Sequence, residues 1–267
     1  MNSSRKVLMI ATAFLLLSFF SPSMDGEQWS LSGLGFQKAA LAATETTIVE
    51  NEEEAEPFAE AFRTKYAPDP LEPLNRVAFQ FNDKFYFWLL KPVSQIYGIF
   101  IPPGIRNCIH NSFDNLRFPT RFVNNVLQGK FKAAGIETAR FVINSTLGVA
   151  GLFELAAPGF NLPPPPAKDT GQTLAFWGLK PGFYIIWPVL GPSTVRDSFG
   201  LAGDTFLNPL YYLPEKFLTG VAIRAGILVN NTSLAIGDYE DFKKAALDPY
   251  ASMRQAYLQY RENQIFR

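Results

Sequence analysis

The sequence predicts an all-α domain, and three observations carry that expectation. From Leu74 the apolar residues Leu74, Val77, Ala78, Phe81, Phe85, Trp88 and Leu89 fall at steps of three and four, which is helical spacing. The same spacing returns in later blocks, each bounded by proline or glycine. The run Phe183-Tyr184-Ile185-Ile186-Trp187 favours a strand but has no obvious partner, so one short hairpin or extended loop near 180–190 is expected rather than a sheet.

Taken in order, the chain opens on Arg5 and Lys6 followed by an apolar run from Val7 to Phe20. A short basic region and a run of this length read as a secretory signal, too short for a membrane span. The signal is assigned to 1–23, with three outcomes open. Cleavage falls near Ser21-Pro22-Ser23, falls as late as Ala40-Leu41-Ala42, or does not occur and leaves an N-terminal anchor. Residues 24–67 carry Glu45, Glu50, Glu52, Glu53, Glu54, Glu56 and Glu60 with little to bury, so they read as an acidic flexible linker. The expected domain is 68–267.

The opening helix is polar in its first half, with Asn75, Arg76, Gln80, Asn82, Asp83 and Lys84, and aromatic in its second. Phe79, Tyr86 and Leu90 lie off its main apolar face. A helix apolar around most of its girth belongs in a deep core or against lipid, and both readings stand at this point. Lys91-Pro92 should kink it and Ile101-Pro102-Pro103-Gly104 should end it. Ile105, Cys108, Ile109, Ser112 and Leu116 mark the next helix, Pro119 opens another, and Phe131 to Leu147 forms a third. Asn115, Asn124, Asn125 and Asn144 are expected to bond between helices or to backbone ends. Gly148, Ala150 and Gly151 should let backbones approach closely. Pro163 to Pro166 reads as a polyproline brace. Asp169 or Thr170 should cap a short helix, and Gly191-Pro192-Ser193 should open another. Glu215 to Ala235, Tyr239 to Leu247 and Tyr250 to Arg261 complete the helices, the last with Tyr257 and Leu258 inward.

Composition narrows the function. Lys plus Arg and Asp plus Glu are both 24, so there is no basic surface for nucleic acid. Charged residues make up 18% of the chain, against about 25% in soluble proteins. Aromatic residues make up 15%, which points to apolar surface beyond the needs of one core. The single cysteine, Cys108, and the single histidine, His110, cannot make a metal site between them. The chain lacks GxSxG, HExxH, a P-loop and a dinucleotide-binding glycine fingerprint, so it reads as no enzyme, with no cofactor.

Three stretches carry a resemblance. They are DPLEPLNRVAFQFND at 69–83, the segment IRNCIHNSFDNLRFPTRFVNNVLQGKFKAAGIETARFVINSTLGVAG at 105–151, and DTGQTLAFWGLKPGFYIIWPVLGPSTVRDSFG at 169–200. In order and spacing they resemble the MlaA (VacJ) family, the outer-membrane component of a phospholipid-retrieval system in Gram-negative bacteria. The resemblance implies a ring-like all-α body in the periplasmic leaflet of the outer membrane, with a central amphipathic channel. It implies non-enzymatic transport of mislocalised phospholipid from the outer leaflet, association with trimeric porins, and delivery to a soluble periplasmic lipid carrier. Family members carry a lipobox cysteine after the signal, and none stands there in this sequence, so the expected attachment is by surface or partners rather than by a lipid anchor. Candidate residues for the lipid passage are Asn75, Arg76, Gln80, Phe81, Asn82 and Phe85, and Phe183, Tyr184, Ile185, Ile186 and Trp187 are the candidate gate. The gate run has a plain alternative as a buried plug of the core. The rival functions are a structural envelope protein that binds a porin without moving lipid, and a lipid hydrolase.

Overall fold

The structure, a computed structural model, describes residues 69–266. The signal and linker expectations therefore lie outside the described residues. The helices are α1 (Glu72–Phe85), α2 (Lys91–Phe100), α3 (Pro103–Leu116), α4 (Phe118–Leu127) and α5 (Phe131–Thr146), followed by the short α6 (Ala156–Phe160) and α7 (Thr170–Phe176). Strands β1 (Tyr184–Trp187) and β2 (Gly191–Thr194) precede α8 (Val195–Leu207), α9 (Phe217–Leu234), α10 (Asp238–Ala245) and α11 (Pro249–Phe266). The all-α expectation holds, and the short hairpin expected near 180–190 is the one antiparallel two-stranded sheet among the described residues.

Two local readings change. The expected kink at Pro92 is taken up just upstream by a π-turn over Tyr86–Leu90, where the Lys91 amide donates to the Tyr86 carbonyl. Proline cannot donate, and the wider turn absorbs that loss without breaking the helix. Gly191-Pro192-Ser193 does not open a helix. It forms β2 opposite the Phe183–Trp187 run, in the register Tyr184 to Thr194 and Trp187 to Gly191. The helix starts at Val195, capped by the Thr194 hydroxyl, which accepts from the Asp197 amide. A strand partner with glycine, proline and serine carries no compositional strand signal.

The packed neighbours close on themselves. α1 packs on β1, β2 on α8, α8 on α7, α7 on α4, α4 on α3, α3 on α9, α9 on α2, and α2 returns through the π-turn to α1. The described apolar clusters sit on one side of this cycle: Tyr184, Ile186, Tyr250 and Tyr257 in one, Tyr239, Phe242 and Met253 in the other, with Phe79 packed against both.

Elsewhere the ring is joined by polar contacts. Asn115 donates to the Ser145 hydroxyl, and the Asn144 side-chain Oδ1 accepts from the amides of Leu155 and Ala156. Arg121 on α4 pairs with Glu137 on α5 at 2.9 Å. The tight turn after α5 needs Gly148, where a Cβ would stand 2.2 Å from the Phe153 carbonyl oxygen. The small-residue cluster expected there does allow that close approach.

Candidate functional site: an apolar exterior, a clasped hairpin and a polar interior

The distribution of residues is inverted. Among the described residues, buried polar side chains outnumber buried apolar ones, while large apolar side chains face outward on most helices. On α1 and the π-turn the exposed residues are Leu74, Val77, Phe81, Trp88 and Leu89, the very face the sequence left open between core and lipid. Trp88 is 76% exposed, so the core reading of that face is overturned. The belt continues through Val93, Ile96, Ile99 and Phe100 on α2 and through Phe217 and Leu218 on α9. Surface of this extent marks a contact with membrane or protein. No described helix is long and apolar enough to cross a membrane.

The candidate passage residues divide into two groups. Gln80 and Phe81 are exposed, and the Phe81 ring stacks on Phe85 with centroids 6.3 Å apart. Asn75 is buried and fully engaged: its amide donates to Asp69 and to the Tyr184 carbonyl, and its carbonyl accepts from the Ile186 amide. Asn82 repeats the pattern, donating to the Trp187 carbonyl and accepting from the Val189 amide. Arg76 pairs with Glu72 and Asp248 and lies over the Tyr250 ring. Asp69, at the head of α1, accepts from the Tyr250 hydroxyl.

Within the hairpin, side chains alternate as the pleat requires. Tyr184 and Ile186 are buried in the first apolar cluster, while Ile185 and Trp187 are half-buried. The Trp187 indole donates to Ser198, and Phe183 at the base is exposed. The expected gate residues are thus brought together in one element, seated on α1.

Behind the hairpin stands a polar cluster the sequence reading did not single out. Arg261 on α11 makes two bonds to Asp169 at the head of α7, at 2.5 and 3.1 Å, and two to Asp197 on α8, at 2.9 and 3.1 Å. Tyr257 donates to Asp197, and Arg196 adds a bond at 2.9 Å. Burial works against ionisation of Asp197, yet Arg261 and Arg196 outweigh it and hold its carboxyl well below the usual range. Gly171 lies against this cluster, where a Cβ would stand 2.7 Å from the Asp197 carboxylate.

Next to it, Asp204 Oδ1 accepts from the Thr170 amide and hydroxyl and from Asn124. Burial first, and then the charge of Asp169, push Asp204 up to about 8 against the hydrogen bonds of Thr170. Lys168, buried and donating to the Gln264 carbonyl, is brought down to about 7 by burial and by Lys130.

The inner stripe of α9 is also polar: Gly220, Arg224, Ile227, Asn230 and Ser233 are buried. Arg224 lies over the Tyr211 ring, and its Nε and Nη2 have no hydrogen-bond partner among the described residues. Asn230 accepts from the Tyr97 hydroxyl and donates to the Arg106 carbonyl. Sequence reading took α9 from its apolar residues alone. The usable signal was the recurrence of Arg224, Asn230 and Ser233 at helical spacing.

His110 bonds Asn231 at 3.0 Å, and Cys108 lies half-buried within α3. Among the described residues no cluster of His, Cys, Asp or Glu is placed to hold a metal.

Three comparisons bear on this arrangement. A protein of Rickettsia bellii is 32% identical over 200 residues, spanning 74% of this chain and 76% of that protein. The Intermembrane phospholipid transport system lipoprotein MlaA of Escherichia coli is 30% identical over 197 residues, spanning 72% of this chain and 76% of the relative. A solved chain reported as "Structural basis for maintenance of bacterial outer membrane lipid asymmetry" superposes with a TM-score of 0.66 at 30% identity, covering 74% of this chain and 100% of that one. The family model for MlaA lipoproteins matches residues 67–264, and the chain belongs to that family.

Proposed function

We propose that this protein is the outer-membrane component of an intermembrane phospholipid transport system. In this reading it takes mislocalised phospholipid from the outer leaflet of the outer membrane and passes it to a soluble periplasmic carrier, without catalysing a reaction. Membership of the family and the name of the Escherichia coli relative support the general role. The observation that carries the reading in this chain is the inversion of its surface, with aromatic and aliphatic residues outward and asparagine, aspartate and arginine inward. A polar group in hydrocarbon without partners costs several kcal/mol, so a headgroup crosses a leaflet only along a polar wall. A body that is apolar outside and polar inside supplies such a wall, and transfer down a gradient needs no energy source.

Each candidate residue has a part here. Phe81, Phe85 and Gln80 meet lipid at the outer edge of α1. Asn75 and Asn82 hold the hairpin, and Arg76 ties α1 to α11. The run Phe183, Tyr184, Ile185, Ile186 and Trp187 stands as one wall of the passage, anchored by Tyr184 and Ile186 in the apolar cluster, with Phe183 the member that reaches acyl chains. The porin is the partner that would cover part of the exposed belt. The test is the phospholipid content of the outer leaflet in cells deleted for this protein. The proposal expects accumulation that the wild-type gene reverses. Unchanged outer-leaflet phospholipid in the deletion would favour a structural porin-binding protein. Release of free fatty acid by the purified protein would favour the hydrolase.

A further inference from the structure

An open cleft of about 630 Å³ lies between α2, α3 and the C-terminal end of α9, away from the hairpin. Its lining joins two chemistries. Ile96, Ile99 and Ile236 are apolar, and Ile99 is 78% exposed at the mouth. Ser94, Gln95 and Arg106 are hydrogen-bonding groups. The Arg106 Nη1 donates to the Ser233 carbonyl at 2.7 Å and hydroxyl at 3.0 Å, which fixes the guanidinium in place. Gly98 lies beside it, where a Cβ would stand 3.4 Å from Nη1.

Two donors remain. Arg106 Nε and the Ser94 hydroxyl are shut from bulk water and have no partner among the described residues, and Ser94 is fully buried. A donor buried without an acceptor carries an uncompensated desolvation cost, which an incoming acceptor relieves. The guanidinium makes an anionic acceptor the best match. The isoleucines make an acyl chain the best match for the rest of the molecule.

We propose that the cleft between α2, α3 and α9 holds the phosphodiester of a phospholipid, with Arg106 and Ser94 as donors and Ile96, Ile99 and Ile236 against the acyl chain. The proposal rests on the transport reading and gives it a resting site for the lipid at the α2–α9 side of the ring. The hairpin, which contributes no residue to this lining, is then not where the headgroup is held.

The test titrates the full chain, in detergent, with dioleoyl phosphatidylethanolamine. Gln95 is exposed on the lining, so its charge can be varied without touching the packing. Gln95→Glu and Arg106→Gln should each weaken binding about fivefold, and Gln95→Lys should leave it equal or tighter. Far-UV circular dichroism checks that helix content is kept, and Gln95→Glu carries the test if Arg106→Gln does not fold. Equal affinity in Gln95→Glu and Gln95→Lys would overturn the site while leaving the transport reading standing. No phospholipid binding by the wild-type protein would overturn both. Inorganic phosphate and oleate serve as the other probes. Binding of inorganic phosphate with the same charge dependence but no lipid binding would reassign the cleft to a free anion. Oleate binding equal to that of the phospholipid would overturn the phosphodiester assignment.

Discussion

Asn75 and Asn82 stand about two helical turns apart on one side of α1, and each closes a two-bond clasp on the hairpin backbone. Each side-chain amide serves as a neighbouring strand would, donating to one carbonyl and accepting from one amide. The edge of β1 is thereby satisfied by a helix, which removes the liability of an open strand edge. It also sets which hairpin residues face inward, because the clasp at Tyr184 and Ile186 fixes the pleat.

Replacing Asn75 with alanine should leave the Tyr184 carbonyl and the Ile186 amide unpaired in a buried site, at about 1–3 kcal/mol for each group. Asn82 is only half-buried, so water can replace part of its clasp and Asn82→Ala should cost about 1 kcal/mol or less. Amide hydrogen exchange checks this. Protection should fall at Ile186 in the first variant and at Val189 in the second, while α9 keeps its protection.

The helices were legible because their amphipathic period is a local property. The side on which α1 buries itself was not, because lipid-facing and core-facing stripes are equally apolar. The hairpin was half legible. Phe183–Trp187 announced β1, but Gly191–Thr194 is a strand only because β1 and the packing around it make it one, with all four residues buried. The polar interior was least legible. Arg261 meets Asp169 from 92 positions away in the chain, and local reading of α11 saw Tyr257 and Leu258 as its inward residues. Of the candidate passage residues, Gln80 and Phe81 face outward, whereas the Asn75 side chain bonds the hairpin backbone.

Arg261 holds two buried carboxylates, so Arg261→Ala should destabilise the protein by about 3–5 kcal/mol, more than the loss of a surface pair. Arg261→Lys should recover little of this, since an ammonium cannot make two bonds to each of two carboxylates. Adding Asp197→Asn to Arg261→Met should restore part of the loss by removing one of the stranded charges. Chemical denaturation of Arg261→Ala, Arg261→Lys, Arg261→Met and the double variant measures the differences.

Asp204 gives a pH dependence with a defined sign. The folded protein keeps this proton up to about 8, whereas an unfolded chain releases it near 3.8, the ordinary aspartate value. The folded state therefore binds more protons across that window. The contribution is fully present below about 4 and is lost as the pH rises through about 8. Asp204→Asn keeps an acceptor for Thr170 and removes the titration. Its unfolding free energy should fall less than that of the wild type between pH 5 and 9, by an amount on the order of a few kcal/mol, as chemical denaturation at each pH would read. An identical slope in both proteins would remove Asp204 from this role.

Crowding around Gly171 gives a further expectation. Gly171→Ala drives a methyl group between Asp197 and Arg261 and should destabilise by about 1–3 kcal/mol. Thermal unfolding of this variant in the Arg261→Met, Asp197→Asn background should show a smaller loss, because the clashing groups are already changed.

The central claim is that the outward apolar belt lies in lipid, and spin-label accessibility tests it most directly. With Cys108→Ser as background, single labels at Trp88→Cys, Leu218→Cys and Lys244→Cys report on two belt positions and one polar one. Trp88 and Leu218 are each 76% exposed, and the Lys244 side chain is 77% exposed, so all three accept a label without disturbing the interior. In membranes, the labels at 88 and 218 should relax with oxygen and be shielded from a water-soluble nickel chelate, and the label at 244 should behave in the opposite way. Nickel accessibility at 88 and 218 equal to that at 244 would contradict the claim.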